Sequence, residues 1–507
     1  MSDDTSDSPS TSAPDSFGGT TLSTLTLAAA AEIAWDLVVI GGGTAGLVAS
    51  RTAAGFGARV LLIERHRLGG DCLWTGCVPS KSLIVAARAA HSARTSARLG
   101  VTTQGVTVDF AAVMQRVTDA MLEVAPADST ESLAASGVDV LIGEAAFTGE
   151  RSISVDGTTI GFRQALISTG GSPVVPDIDG IDGVDVLTSE TLWNIRDLPE
   201  RLLVLGGGAI GCEIGHAMTR LGSTVTLVHR GERILPKEER RASQIVHAAM
   251  TRDGVDIRTS SEVVSFTASP HDRTRGSATL DDGSVVEFDR VVVALGRTPN
   301  TGSLQCARAI VRLDEKGDVR VDAHLRSSNP RVWAAGDMTG LPQFTHTAGV
   351  NGSLAATNAI LGLTRSVDTA AVPRVTFTDP EVAAVGLSPT DADANGARTI
   401  TIDHADLDRA IAESETDGYT SIVVDAKGRI LGATIVGPRA GETLGEASVA
   451  VKNGLSTSSL AGATHAYPTF SDALWQASVS DVRTRLGQGL VSKATGVLGR
   501  IRASRVK

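Results

Sequence analysis

Short apolar runs alternate with longer stretches of helical periodicity along this chain, and one order of elements occurs twice. Trp35–Ile40 is apolar apart from Asp36, which predicts a short strand. It leads into Gly41, Gly43 and Gly46, spaced GxGxxG, and then into the alanine-rich stretch Thr44–Phe56, a predicted helix. A second apolar run, Arg59–Ile63, ends in Glu64, 18 residues past the last of those glycines. The order returns as strand Leu202–Leu205, glycines Gly206, Gly208 and Gly211, helix Ala209–Leu221 and strand Thr224–Val228. In such a unit the glycines let the backbone approach a pyrophosphate, which rests on the N-terminus of the following helix. The first unit ends in an acid, suited to ribose hydroxyls, whereas the second ends in His229-Arg230.

Elsewhere the periodicity predicts helices over Val78–Leu99 and Phe110–Ser136 and strands over Val138–Gly143 and Ala165–Thr169. From Val372 strands dominate: Val375–Phe377, Tyr419–Asp425 and Ile430–Val436, with helices at Gly441–Asn453 and Ser471–Thr484.

The chain has 507 residues, more than one hydrophobic core supports, so two to four domains are expected. A net charge of -11 argues against nonspecific nucleic-acid binding. Four cysteines in so long a chain are too few for a secreted disulfide scaffold and point to a reducing cytoplasm. Met1–Ala34 is acidic and rich in Ser, Thr and Asp, with no Lys or Arg before Arg51; it reads as a disordered tail rather than a secretory signal. No apolar run reaches the roughly 20 residues of a membrane-spanning helix. Beyond Asp481 there are seven Lys or Arg and no acid, which predicts a solvated basic tail over 487–507, with anionic lipid as the alternative partner.

The chemistry concentrates in Gly69–Lys81, GGDCLWTGCVPSK, where Cys72 and Cys77 stand five positions apart and Lys81 follows one helical turn later. Two cysteines beside a dinucleotide cradle suggest a dithiol exchanging electrons with a flavin. The segment matches every fixed position of GG-x-C-x-x-x-G-C-[VI]-P-[ST]-K and resembles the redox motif of the class I pyridine nucleotide–disulfide oxidoreductases, which include dihydrolipoamide dehydrogenase and mercuric reductase. Further segments resemble that family: Ile167–Pro173 with Thr169 and Gly170, Val291–Asn300 (VVVALGRTPN) with Gly296, Val332–Met338 (VWAAGDM) with Asp337, and Val372–Glu381.

The resemblance spans roughly residues 35 to 485 and implies an α/β fold with two Rossmann-like domains and a C-terminal α+β dimerisation domain. FAD is expected on a discontinuous domain, 35–168 and 298–370, held by Gly41, Gly43, Gly46, Glu64, Gly70, Lys81 and Asp337, with Thr169 and Gly170 of the flavin-side crossover that follows. For Asp337 a helix N-cap is the plainer role, compatible with the other. NAD(P)H is expected on 169–297, at Gly206, Gly208, Gly211, His229 and Arg230, with Gly296 in the segment that closes the domain. Arg230, supported by Arg233, suits a 2′-phosphate, so NADPH is the expected coenzyme, with NADH possible and a solvated basic turn as the plainer reading. Residues 371–486 are expected to pair two chains into a homodimer. By the same resemblance Cys77 is the inner thiol at the flavin, Cys72 the outer thiol that meets the acceptor, and Glu213 the ion partner of Lys81. Cys212 and Cys306 match no site of the family and read as buried small hydrophobes. No second Cys/His pair has zinc spacing, so no metal site is expected.

One segment departs from the pattern. Where thiol–disulfide members carry H-P-T-x-x-E, supplied by the partner subunit as acid–base dyad, this chain has Tyr467-Pro-Thr-Phe-Ser-Asp472. A tyrosine of ordinary pKa near 10 is a poor base at neutral pH but can donate a proton. His465 lies two residues away, displaced from the place of the missing imidazole. The chain also ends Ser-Arg-Val-Lys507, without the vicinal cysteines of mercuric reductase. The expectation is therefore an FAD enzyme reducing a small-molecule or metal-ion acceptor through Cys72 and Cys77. Lipoamide dehydrogenation, metal-ion reduction and a redox-inactive flavoprotein subunit are the alternatives.

Overall fold

A computed structural model describes residues 22–487 together with Val497 and Arg502. Its first sheet carries parallel strands in the order Val138–Ile142, Val60–Glu64, Trp35–Ile40 and Thr158–Ile167, and Val332–Ala334 pairs parallel to the last. The far half of Thr158–Ile167 turns antiparallel, pairing with Ser152–Val155 and through it with Ala145–Gly149.

The apolar run Trp35–Ile40 is continuous because both its faces are covered. Leu37 and Val39 join Ala49 and Ala53 of the helix Thr44–Gly55 and Ala355 and Ala356 of the helix Thr345–Leu361. Val38 and Ile40 point the other way, onto Phe147, Ile153 and Ile160.

The second sheet repeats the plan with Asp256–Thr259, Thr224–His229, Arg201–Leu205 and Arg290–Val293, all parallel. A three-stranded antiparallel ribbon, Val263–Ser269, Asp272–Leu280 and Val285–Phe288, covers one side of it. The two crossovers between the sheets, Gly171–Pro173 and Arg297–Pro299, pair with each other antiparallel. A third, five-stranded antiparallel sheet runs Arg374–Thr376, Glu381–Gly386, Ile430–Gly437, Tyr419–Val424, Arg398–Asp403, backed by helices Ala440–Lys452 and Asp472–Leu486.

Two expectations change. The helical pattern over 110–136 is broken: Phe110–Val124 ends, a 3₁₀ turn spans Ala125–Asp128, and Thr130–Ala135 starts afresh. Pro126 lacks an amide hydrogen and cannot continue the first helix. The expected N-terminal tail is ordered from Leu22: Thr24 donates its amide to Val140 O at 2.8 Å on the sheet edge, and Leu27–Glu32 is helical. Residues 1–21 lie outside the described residues, as does the expected basic tail except Gly487, Val497 and Arg502. Among the described residues no helix is long and apolar enough to cross a membrane.

Candidate active site

The redox segment is seated on the first glycine turn. Gly69 and Gly70 take φ of +106° and +56°, and a Cβ on Gly70 would stand 2.6 Å from the Cα of Gly43. Cys72 lies in the short helix Gly70–Trp74, and Cys77 is the first residue of the 19-residue helix Cys77–Thr95. Both thiols are free and hydrogen-bonded to each other. Cys77 Sγ also meets Thr345 Oγ1 at 3.2 Å. The Cys72 hydrogen bond, then Thr345 and the Lys81 cation, outweigh burial and bring the Cys77 thiol down to about 6. Cys72 moves up, chiefly because its hydrogen bond to Cys77 holds its proton. The pair is thus arranged as one thiolate, at the positive end of a helix, and one thiol.

Lys81 Nζ stands 3.0 Å from Glu213 Oε2, and Glu213 is buried. The other oxygen, Oε1, accepts from the amide of Phe377 at 3.0 Å, and the Lys81 ammonium lies 4.1 Å above the centre of the Phe377 ring.

At the first cradle, a Cβ on Gly46 would fall 1.9 Å from Gly41 O, and one on Gly41, with φ of +105°, 2.5 Å from Ser168 O. Glu64 sits at the strand end, its carboxylate accepting from the amides of Gly42 at 2.6 Å and His66 at 2.9 Å. Thr169 Oγ1 donates to Asn300 O at 2.7 Å and ties the crossovers together. Gly170 and Gly296 both have positive φ, with open space where a side chain would stand. Asp337 opens a 3₁₀ turn, Asp337–Thr339, whose N-cap is Gly336, so the capping role does not fall to Asp337 itself. Burial pushes its carboxyl above the usual range, and Arg297 Nε lies 3.5 Å away. Arg297 also pairs with Asp71, next to Cys72, and donates to Gly171 O.

The second cradle repeats the first: a Cβ on Gly211 would lie 1.9 Å from Gly206 O, and Gly208 faces open space. His229 Nδ1 accepts from the Gly207 amide at 3.3 Å, and burial lowers its pKa. In that neutral tautomer Nε2 carries the proton, and Nε2 is buried without a hydrogen-bond partner among the described residues. Arg230 is exposed on the same cavity wall, with Lys237 beside the turn. Arg233 does not join them; its guanidinium donates to the carbonyls of Leu235, Pro236 and Glu238. The two cradles, the cysteines and Lys81 line one cavity of about 2390 Å³.

Tyr467 and Asp472 are not brought together as the motif suggested. Tyr467 is 69% exposed and donates its hydroxyl to Asp408 Oδ2, which raises its pKa. Asp472, buried at the start of its helix, accepts from Gln476 Nε2 at 2.7 Å. Nor does His465 fill the gap: Nε2 lies 2.7 Å from Glu446 Oε1 and Nδ1 3.1 Å from Ala463 O. Burial works against protonation of His465, but the Glu446 carboxylate outweighs it and its pKa rises.

Residues 35–352 match the family model described as pyridine nucleotide-disulphide oxidoreductase, and 372–478 match the dimerisation domain of the same family. The chain belongs to this family. It is 35% identical to a mercuric reductase of Streptomyces lividans over 456 residues, 88% of this chain and 95% of that one. A dihydrolipoyl dehydrogenase of Bacillus subtilis is 32% identical over 452 residues, 87% and 95% of the two chains. Among solved structures, LpdA of Mycobacterium tuberculosis superposes with a TM-score of 0.81 at 28% identity, over 88% of this chain and 99% of that one. The Cu(II) complex of the HOCl-induced flavoprotein disulfide reductase RclA of Escherichia coli gives 0.78 at 27%, over 88% and 99%.

As a pyridine nucleotide-disulphide oxidoreductase, this protein is a flavin-dependent enzyme using FAD and NAD(P)H, and its dimerisation domain supports a homodimer. The chain fits both groups on its own geometry: the turns pass too close to neighbouring carbonyls for a Cβ at Gly41, Gly46, Gly206 or Gly211, and the second ends in a buried donor, His229 Nε2, without a partner among the described residues. Sequence reasoning missed Thr345, the place of Phe377 under Lys81, and Asp408. All three lie far along the chain from the residues they touch, with no local motif to mark them.

Proposed function

We propose that this enzyme takes reducing equivalents from NADPH and delivers them, through FAD and the Cys72–Cys77 pair, to a small acceptor met by Cys72. The carrying observation is the unequal pair: Cys77 lowered at a helix N-terminus beside Lys81, Cys72 held as the thiol. FAD, when bound, supplies the two-electron relay between nicotinamide and disulfide. Gly41, Gly43, Gly46, Gly70, Glu64 and Asp337 would hold it, on a domain formed by 35–168 and 298–370, with Thr169 and Gly170 of the crossover that follows. Lys81, paired with Glu213, keeps a positive charge beside Cys77 and favours its thiolate.

His229 and Arg230 support NADPH. An NAD site presents an acceptor to the ribose hydroxyls at this place, whereas here stand a buried N–H donor and an exposed guanidinium. Residues 371–486 would place Tyr467 of the partner subunit near Cys72. Its hydroxyl, kept protonated by Asp408, is a donor and not a base at neutral pH. That favours reduction of an acceptor over oxidation of dihydrolipoamide, which requires a base. The acceptor class is a small disulfide other than lipoamide or a thiophilic metal ion, and the working compartment is the cytoplasm.

Anaerobic stopped-flow tests this. Enzyme reduced with one equivalent of NADPH is mixed with lipoamide, a small disulfide, cupric or mercuric ion, a quinone, or oxygen. Flavin reoxidation faster with a disulfide or metal ion than with lipoamide supports the reading, and a Cys72→Ser variant should lose it. Lipoamide as the fastest acceptor would overturn it.

A further inference from the structure

Phe377 carries no charge, yet it touches both halves of the Lys81–Glu213 pair. Its ring lies under the ammonium at 4.1 Å and its amide donates to the free oxygen of Glu213 at 3.0 Å. The face of an aromatic ring attracts a cation, so Lys81 is held from two sides, by a carboxylate and by a ring. Phe377 lies in the turn between the strands Arg374–Thr376 and Glu381–Gly386 of the third sheet, and this turn is held down at a second point. Two residues on, Asp379 Oδ2 accepts from Arg220 Nη1 at 2.6 Å. Thr378 between them is buried and donates to Pro380 O at 2.8 Å. Glu213 and Arg220 are seven residues apart on the helix Ala209–Leu221, which sets the two attachment points about 10 Å apart on one face. Arg220 is fixed in turn by Asp253, at 2.6 Å from Nε.

We infer that Phe377 is a positioning residue that keeps the Lys81 ammonium directed at Cys77, and that the Arg220–Asp379 ion pair anchors the segment that presents it. The inference rests on the reading of Cys77 as the working thiolate. Lys81 and Glu213 are the charged groups that face Cys77, together with the Cys72 thiol. His91 and His216, both pulled down by burial, face Arg220 and Asp253, as does Asp379.

The test is the pH dependence of iodoacetamide alkylation at Cys77 in anaerobically reduced holoenzyme, with peptide mass spectrometry separating Cys77 from Cys72. The parent should inflect near about 6. Phe377→Leu should raise the inflection by about half a pH unit, while Phe377→Tyr, which keeps the ring face, should leave it in place. Asp379→Asn should move it in the same direction as Phe377→Leu and keeps the test alive should the leucine variant not fold. A Phe377→Leu enzyme with FAD bound and the parent inflection overturns the inference. A parent without any low inflection overturns the thiolate reading beneath it, a result distinguishable from the first.

Discussion

Tyr467 donates its hydroxyl to Asp408, 59 residues earlier in its own chain, and not to Asp472, five residues later. The carboxylate that the motif offers as orienting group is engaged by Gln476 and buried, while the tyrosine points outward from the third sheet. A phenol hydrogen-bonded to a carboxylate resists ionisation, so Tyr467 does not serve as a base, and its one proton reaches an acceptor only if the hydroxyl turns away from Asp408. We expect Tyr467→Phe to slow reoxidation of the reduced enzyme by its acceptor by about 10²-fold or more, with reduction by NADPH unchanged. Stopped-flow of both half-reactions checks this, and an unchanged oxidative phase removes Tyr467 from the mechanism. Tyr467→His should bring little lipoamide activity, since Asp472 is not placed to orient an imidazole.

The coenzyme prediction concerns Arg230. Its guanidinium is exposed on the cavity wall and forms no ion pair among the described residues. Arg230→Glu should shift selectivity from NADPH towards NADH by about one to two decades in kcat/KM, the worth of a charge-assisted contact of about 1.5–3 kcal/mol. Arg233→Ala should instead act on the stability of the 231–238 loop, because that guanidinium is bound to loop carbonyls. Equal efficiency of both coenzymes in the parent enzyme would end this reading.

The Cys77 thiol is depressed, so its thiolate is present above about pH 6 and lost as pH falls through that value. The Cys77 thiolate can take the Cys72 proton through their hydrogen bond as Cys72 meets the acceptor, so the rate of acceptor reduction should rise through that pH and level off above it. Lys81→Met removes a cation that favours the thiolate and should move the rise to higher pH. A profile flat across pH 5 to 8 would contradict the assignment.

Assembly follows from the third sheet. Sedimentation should give about twice the 52.2 kDa chain mass, and diluting the enzyme until it dissociates should abolish acceptor reduction while flavin reduction persists. Full turnover by a monomer would remove the partner subunit's Tyr467 from the site.

Much of this was legible locally. Gly46 and Gly211 could be read from spacing because each must pass within contact of the carbonyl of the first glycine in its own turn, a clash any Cβ would create. The strand Trp35–Ile40 was legible because both its faces are covered, which leaves a continuous apolar run. The redox motif was legible because glycines and cysteines at fixed spacing admit few substitutes.

The tertiary structure alone decided which partners those residues take. Thr345 reaches Cys77 across 268 positions, Phe377 reaches Glu213 across 164, and the break at Pro126 separates two helices that one periodicity had joined. Such contacts carry no local signal, because a hydrogen bond between distant segments constrains each partner only weakly in type. Tyr467 shows the limit: its motif position named Asp472 as partner, while the packing of the third sheet gave it Asp408. Sequence spacing fixes what a turn or strand can be; only the folded chain decides which side chain meets which.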